Sequence, residues 1–212
     1  MIPAEVATRP LGSPPAVGWC AGCRTDPITG LVAFPDFHAA FPSIMQSSLQ
    51  AGTAIGLAIG DVDNLKTYVE TANESDPLSF GHLAGNALMS RLGEVAQDWF
   101  WSYASARGLV STFGGDEIIV AIEITERTSF MRALGSLRER LNEVLPCTVS
   151  FAATAALPAP SGSAEQLYLR AMTTLDRCLF ARKSARRASG SEASFLLDVD
   201  LVDGQAREAA DA

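Results

Sequence analysis

The sequence predicts an α/β (α+β) sandwich in which helices flank a mixed central sheet, with a ferredoxin-like order of elements. Two observations lead to this fold class. Short apolar runs of strand length alternate with longer segments in which apolar residues recur at intervals of three and four. A Gly-Gly-Asp-Glu turn at 114–117 also separates two of the strand-like runs by hairpin distance.

The first half of the chain is predicted to contain a helix, a strand and a second helix. Apolar residues follow a helical period between 34 and 49, although Pro42 could interrupt that helix. The run 54–59 is apolar throughout, as in a buried central strand, and it leads into Asp61. The helical period then returns between 82 and 101.

The second half begins with a predicted strand pair and continues with alternating helices and strands. Gly114 and Gly115 supply the permissive backbone that a tight hairpin requires. The predicted elements are strands over 109–113 and 118–123, a helix over 130–145, a strand over 148–155, a helix over 166–183 and a closing strand over 194–199.

A single folded domain is predicted over residues 19–202. A chain of 212 residues can bury one sizeable core. Residues 1–18 are rich in proline, alanine and glycine without periodicity, and residues 203–212 are small and acidic. Both ends are therefore predicted to be flexible.

Charge and hydropathy exclude several classes of protein. The apolar runs are far shorter than the roughly 20 residues of a membrane-spanning helix, so no membrane partner is expected. A net charge of -8 opposes binding to a nucleic-acid backbone. The start of the chain lacks a basic and then apolar secretory pattern, so we expect a cytoplasmic location.

The four cysteines form only one close pair, Cys20 and Cys23. This spacing suits half of a zinc site or a redox pair, but Cys147 and Cys178 stand far apart and do not supply the other half. Reduced structural thiols are therefore the expected state.

Two carboxylate clusters are predicted to lie on neighbouring strands. Asp61 and Asp63 end one strand, and Asp116 and Glu117 lie in the following hairpin. Hard oxygen ligands of this kind hold the magnesium ions that assist phosphoryl transfer. Taken alone, an acidic turn of this type could equally be a solvated loop.

Six segments between residues 26 and 187 together resemble the motifs of the GGDEF family, whose fold is the palm of polymerases and nucleotide cyclases. Their order along the chain is also that of the family. The segments are Asp-Pro-Ile-Thr-Gly-Leu (26–31), Asp-Val-Asp-Asn-Leu-Lys (61–66), Gly-His-Leu-Ala-Gly-Asn (81–86), Gly-Gly-Asp-Glu-Ile (114–118), Val-Ser-Phe-Ala (149–152) and the helix 171–187.

The resemblance implies a diguanylate cyclase that condenses two GTP molecules to cyclic di-GMP and pyrophosphate, with Mg²⁺ or Mn²⁺ and a homodimer. Glu117 would lie beside the attacking 3′-hydroxyl. A solvated helix end is the alternative interpretation of the basic residues near 183–187. The implied residues are Asp61, Asp116 and Glu117 for catalysis, Asp61, Asp116 and the Val62 carbonyl for metal, and Lys66, Gly114, Gly115, Lys183 and Arg187 for the nucleotide.

The sequence departs from the family pattern where the base is read. Val69 and Asn86 occupy positions that hold Asn and Asp in the family, and the segment between Lys66 and Gly81 is longer. Asn73 in that segment could supply the missing amide. An amide suits the donor and acceptor pair of adenine better than the two donors of guanine. Two alternatives therefore stand beside the cyclase: an inactive nucleotide- or partner-binding module, and a cyclase that makes an adenine-containing product.

Regulation also departs from the family pattern. The product-inhibition motif Arg-x-x-Asp would fall near 105–108, where the chain reads Ser-Ala-Arg-Gly. The stretch before Asp26 is too short for the usual sensor domain. We therefore expect control through expression, a regulatory protein partner or the segment around Cys20 and Cys23.

Overall fold

The computed structural model describes residues 16–17, 22–76, 78–103, 107–156, 163–201 and 204–209. Within these ranges the chain forms five helices and seven strands. In chain order they are β1 (Ala16–Val17), α1 (Phe34–Gln50), β2 (Ala54–Val62), α2 (Leu65–Ser75), α3 (Leu83–Tyr103), β3 (Gly108–Gly114), β4 (Glu117–Ile124), α4 (Arg127–Val144), β5 (Val149–Ala156), α5 (Ala164–Ser189), β6 (Leu196–Val199) and β7 (Ala206–Glu208).

The strands form one mixed sheet in the order β1-β3-β4-β2-β5-β6-β7. The central strand β2 pairs antiparallel with both β4 and β5, and the pairing of β5 with β6 is parallel. The predicted α/β sandwich with a mixed central sheet is therefore confirmed. Because β2 is paired along both edges, its last residues are fixed by two neighbours.

The core has two layers, one on each face of the sheet. Helices α3 and α4 cover one face, and helices α1 and α5 cover the other. Successive residues of β2 alternate between these layers because side chains of a strand point to opposite faces. Thus Ile55, Leu57 and Ile59 pack toward α1 and α5, whereas Ala58 packs toward α3 and α4.

Two glycines in β2 leave room for aromatic rings from neighbouring elements. A Cβ atom on Gly56 would lie 2.7 Å from the ring of Phe130, and one on Gly60 would collide with the ring of Phe151. The rings therefore pack directly on the strand backbone. This close packing fixes the position of the strand end that carries Asp61.

The structure differs from the sequence prediction in three elements, α2, β1 and β7. Helix α2 is an addition to the predicted elements; none of its residues is fully buried, and its inner face, which includes Leu65, Tyr68 and Val69, is only partly covered. Helix α1 forms as predicted and continues through Pro42, because its face bearing Phe37, Phe41 and Met45 is buried. Strands β1 and β7 extend the sheet beyond residues 19–202 at both edges.

One cysteine differs from the expected reduced state. Cys23 is disulfide-bonded, so the expectation of reduced thiols is wrong for this residue. Cys147 and Cys178 are free thiols, as expected. Cys20 lies outside the described residues.

Every helix in the described part of the chain is too short or too polar to cross a lipid bilayer.

Candidate active site

The candidate site lies where β2 ends beside the hairpin between β3 and β4. Asp61 is the register partner of Glu117 on β4. The Val62 N–H donates a 3.0 Å hydrogen bond to the carbonyl of Asp116. The structure thus places the two predicted carboxylate clusters on neighbouring strands, next to each other.

The hairpin depends on two glycines in a conformation that other residues adopt only under strain. Gly114 and Gly115 have φ angles of 110° and 65°. The Thr112 hydroxyl accepts a 3.2 Å hydrogen bond from the Gly114 N–H and donates one of 3.2 Å to the Glu117 carbonyl. These contacts set the position from which Asp116 and Glu117 leave the strand.

Lys183 of α5 places its ammonium group among the oxygens at the end of β2. The side chain is buried, with 5% of the residue exposed. Its Nζ forms an ion pair with Asp61 Oδ1 and lies 3.2 Å from the Val62 carbonyl and 3.1 Å from Asp63 Oδ1. A cation therefore occupies the position where two of the predicted metal ligands converge.

Asp63 belongs to a buried network rather than to the open face of the site. It is 2% exposed and pairs with Arg186, which is 4% exposed, through Nη2 to Oδ1 at 2.6 Å and Nη1 to Oδ2 at 3.1 Å. The hydroxyls of Thr148 and Ser150 each donate a 2.8 Å hydrogen bond to Asp63 Oδ2. Every oxygen of this carboxylate is therefore satisfied, so Asp63 anchors α5 to the sheet.

Sequence reasoning missed the role of Arg186. The family resemblance assigns Lys183 and Arg187 to phosphate binding and gives Arg186 no role other than in a solvated helix end. In the structure Lys183 and Arg186 are buried, whereas Arg187 is exposed. The second aspartate of Asp61-Val62-Asp63 was the available signal, because a buried carboxylate requires a buried cation.

Burial and neighbouring charges shift the pKa values of the titratable groups here. Burial, followed by repulsion from Asp116 and from Asp176 on α5, raises the pKa of Glu117 to about 7. Burial also raises the pKa of Asp116. For Lys183, burial and the charges of Arg186 and Arg187 lower the pKa to about 7, although its contacts with Asp61 and Asp63 favour the ammonium form.

The remaining predicted phosphate ligands lie on the surface. Arg187 is exposed near the end of α5. Lys66 lies on the first turn of α2 with 89% of its side chain exposed, and its ammonium is 3.7 Å from Glu70. Both side chains are accessible to an anionic ligand.

Val69 and Asn86, which the family resemblance assigns to base reading, lie on α2 and α3, two helices that pack against each other. A Cβ atom on Gly85 would lie 3.2 Å from Val69 Cγ2, so the helices approach closely there. Asn86 follows Gly85 and is exposed. This edge therefore offers the apolar side chain of Val69 and the amide of Asn86.

Asn73 holds the loop that precedes α3. Its Nδ2 donates a 3.1 Å hydrogen bond to the Gly81 carbonyl, and its Oδ1 accepts one of 2.8 Å from the Ser79 hydroxyl. Both ends of the amide are thus engaged within the loop. One N–H and one acceptor site of the Asn73 amide are therefore used within the loop, and its contact with a base stays a prediction.

The oxygens at the end of β2 suit a hard divalent cation. The Asp61 carboxylate and the Val62 carbonyl already surround a positively charged group, the ammonium of Lys183. In the described part of the chain, no three His, Cys, Asp or Glu side chains converge on one metal position. This composition fits Mg²⁺, which commonly takes one or two carboxylates and completes its shell with substrate phosphates and water.

The sequence matches no protein-family model and no curated protein sequence. Solved structures share its fold at low identity. A microbial GGDEF domain, described in its interaction with bis-(3′,5′)-cyclic di-GMP, is 24% identical with a TM-score of 0.57, covering 82% of this chain and 95% of that one. The GGDEF domain of DgcB from Caulobacter crescentus, in complex with c-di-GMP, is 18% identical with a TM-score of 0.60 and coverages of 81% and 94%. Diguanylate cyclase SiaD from Pseudomonas aeruginosa, in complex with its activator SiaC, is 19% identical with a TM-score of 0.59 and coverages of 81% and 61%.

Proposed function

Because this chain has the fold of GGDEF domains, we propose that it is a diguanylate-cyclase-like nucleotidyltransferase that condenses two GTP molecules into cyclic di-GMP and pyrophosphate. The observation that carries the proposal is the pairing of Asp61 with Glu117 beside Asp116, with the ammonium of Lys183 held at the same strand end. A solvated acidic turn would not require a buried cation.

In this proposal Asp61, Asp116 and the Val62 carbonyl hold Mg²⁺ or Mn²⁺. When bound, such an ion neutralises charge on the triphosphate and polarises the reacting groups. Lys183 and Arg187 bind phosphate oxygens through charge-assisted hydrogen bonds. Lys66 is a further phosphate ligand, and Gly114 and Gly115 let the backbone of the hairpin approach the nucleotide.

The reaction requires two nucleotides that face each other, so the proposed catalytic unit is a homodimer with one GTP per protomer. The 3′-oxygen of each nucleotide attacks the α-phosphorus of the other. A new P–O bond forms, the bond from the α-phosphorus to the bridging oxygen breaks, and pyrophosphate leaves with that oxygen. In this proposal Glu117 takes the proton of the 3′-hydroxyl. The dimer supplies the proximity that this reaction depends on.

A second candidate function keeps the chemistry and changes the base. Val69 packs at Gly85 next to Asn86, so the edge that would read guanine lacks a carboxylate in this chain. An amide can donate to and accept from adenine. We therefore also consider a cyclic dinucleotide that contains adenine, and an inactive nucleotide- or partner-binding module as the third reading.

The test is to incubate the purified protein with Mg²⁺ and GTP, ATP or both, and to identify products by mass spectrometry. Cyclic di-GMP is the expected product, and Asp116→Asn should abolish pyrophosphate release while leaving the fold intact. Glu143→Gln, which removes an exposed carboxylate from α4, is the matched control and should retain activity. An adenine-containing product would favour the second candidate. Nucleotide binding without pyrophosphate release would favour the inactive module and overturn the proposal.

The domain and its control are part of the same proposal. We assign the catalytic domain to residues 19–202, with β1 and β7 as extensions of its sheet. SiaD is bound to an activator protein. A protein partner could control this chain similarly, and partner capture followed by a pyrophosphate-release assay would test this.

A further inference from the structure

Lys183 occupies the oxygens that a divalent metal would need. Its Nζ contacts Asp61 Oδ1 and lies 3.2 Å from the Val62 carbonyl. The Asp61 carbonyl is 3.5 Å away. The ammonium thus has three oxygen neighbours from the two residues that the proposed function assigns to metal binding.

The position of Lys183 is set by its helix. Arg186, one turn further along α5, is fixed by its two hydrogen bonds to the buried Asp63 and by a 2.8 Å hydrogen bond to the Ala193 carbonyl. The backbone of α5 is therefore anchored, and only the flexible side chain of Lys183 is free to leave. Arg187, on the exposed side, makes no comparable contact with Asp61 or Val62 within the described residues.

An ammonium group and a divalent ion cannot share these oxygens. Two cations in contact with one carboxylate would repel each other at short range, in a partly buried position where water screens charge weakly. A metal that binds Asp61 and Val62 must therefore displace Lys183. The displaced ammonium would retain the Asp63 carboxylate, 3.1 Å from its Nζ, as a partner, and phosphate oxygens of a nucleotide would add further charge-assisted contacts.

We propose that Lys183 is a positioning residue whose ammonium group binds the Asp61 and Val62 oxygens when no metal is bound. Lys183 thereby couples metal binding to nucleotide binding. The inference rests on the proposed function for the identity of the metal ligands. A nucleoside triphosphate supplies the phosphate oxygens to which Lys183 moves, so the metal and the triphosphate each favour the binding of the other. Such coupling is reciprocal between the two ligands.

The direct test measures Mn²⁺ binding by the full chain without nucleotide, for wild type, Lys183→Met and Arg187→Met. Lys183→Met should bind Mn²⁺ about 5- to 150-fold more tightly than wild type, which is the usual range for coupled sites. Arg187→Met removes the same charge from the same helix without freeing the Asp61 and Val62 oxygens. The affinity of this variant for Mn²⁺ should therefore change much less. Equal shifts in the two variants would mean a general effect of charge and would overturn the proposal, as would unchanged or weaker binding in Lys183→Met.

A second measurement uses the wild type and does not depend on a variant that folds. The sequence has only two lysines, Lys66 and Lys183. Acylation with an amine-reactive ester, read by mass spectrometry, should modify the exposed Lys66 and leave Lys183 largely protected. Saturating Mn²⁺ should raise the labelling of Lys183 relative to Lys66. Unchanged labelling at saturation would overturn the displacement of Lys183.

These outcomes separate the inference from the proposed function. Tight Mn²⁺ binding with identical behaviour of wild type and Lys183→Met refutes the role of Lys183 but leaves the cyclase proposal standing. Absence of Mn²⁺ binding in both proteins, with and without GTP, refutes the metal assignment and therefore both. An inactive protein that still shows tighter binding in Lys183→Met supports the inference and refutes only the catalytic activity.

Discussion

Replacement of Arg186 by methionine should strongly destabilise the fold. The guanidinium and the Asp63 carboxylate are 4% and 2% exposed, so solvent screens this ion pair very little. Removing one partner of a buried pair costs about 3–5 kcal/mol, because the other charge is left uncompensated. Asp63 would keep its hydrogen bonds from Thr148 and Ser150, both 2.8 Å, and its contact with Lys183 at 3.1 Å. We therefore expect a loss near the lower end, about 3 kcal/mol.

Urea denaturation followed by circular dichroism at neutral pH measures this loss as a change in the free energy of unfolding. Arg187→Met is the matched control, since it removes the adjacent arginine from an exposed position. Substitutions of that kind usually change the free energy by no more than about 0.5 kcal/mol. A domain of ordinary stability, about 5–15 kcal/mol, would remain folded but clearly weakened by Arg186→Met.

One result would refute the reasoning. That result is an equal drop in the free energy of unfolding for Arg186→Met and Arg187→Met. The buried Arg186–Asp63 pair would then contribute no more to stability than an exposed arginine. The anchoring of α5 through Asp63 would then be wrong, and with it the fixed position of Lys183.

Three further predictions follow from the structure. Gly56→Ala places a Cβ atom 2.7 Å from the Phe130 ring and should lower the free energy of unfolding, measured by thermal or urea unfolding, by about 1–3 kcal/mol. The control variant Gly135→Ala, whose Cβ meets nothing within 4 Å, should be neutral or stabilising. Equal losses in the two variants would contradict the packing argument. Asn86→Asp should raise the ratio of kcat/KM for GTP to that for ATP by about fivefold, the effect of one hydrogen bond worth about 1 kcal/mol. An unchanged ratio would exclude position 86 from base reading. Burial raises the pKa of Tyr168 to about 12, above its unfolded value near 10, so the unfolded state loses the proton first and stability falls as pH rises from 10 to 12. The Tyr168→Phe variant should lose stability less steeply over that pH range. Parallel curves of stability against pH for the two proteins would contradict the shift.

The fold class could be predicted from the sequence because the buried strands and helices show a clear pattern of apolar residues. Strand β2 is apolar over 54–59, and α1 and α3 repeat apolar residues with a helical period. Helix α2 was missed because it is short and its inner face, which includes Leu65, Tyr68 and Val69, is only partly buried. Strand β7 is three exposed residues whose pairing depends on β6 and not on their own composition.

The site was predictable in composition but not in geometry. Motif positions indicated that Asp61, Asp116 and Lys183 act together, yet spacing along the chain cannot say which cation contacts which carboxylate. Arg186 and Arg187 are adjacent in sequence, and only the rotation of α5 makes one buried and the other exposed. The engagement of Asn73 with Ser79 and Gly81 likewise depends on a loop conformation that composition does not specify.

Arg186 and Arg187 are adjacent on α5, so a shift of the sequence by one residue along this helix changes which arginine faces Asp63. Each residue turns an α-helix by about 100°, so deleting Ser184 would move Arg187 into the place now held by Arg186. An arginine would still face Asp63, and the fold would keep its anchor. Ala188 would take the exposed place of Arg187, and Arg186 would take the exposed place of Ala185, so the deletion would keep the number of exposed arginines and move the exposed charge to another side of the helix. Indels in this helix would therefore separate structural integrity from ligand affinity, which point substitutions at Asp63 or Arg186 cannot do.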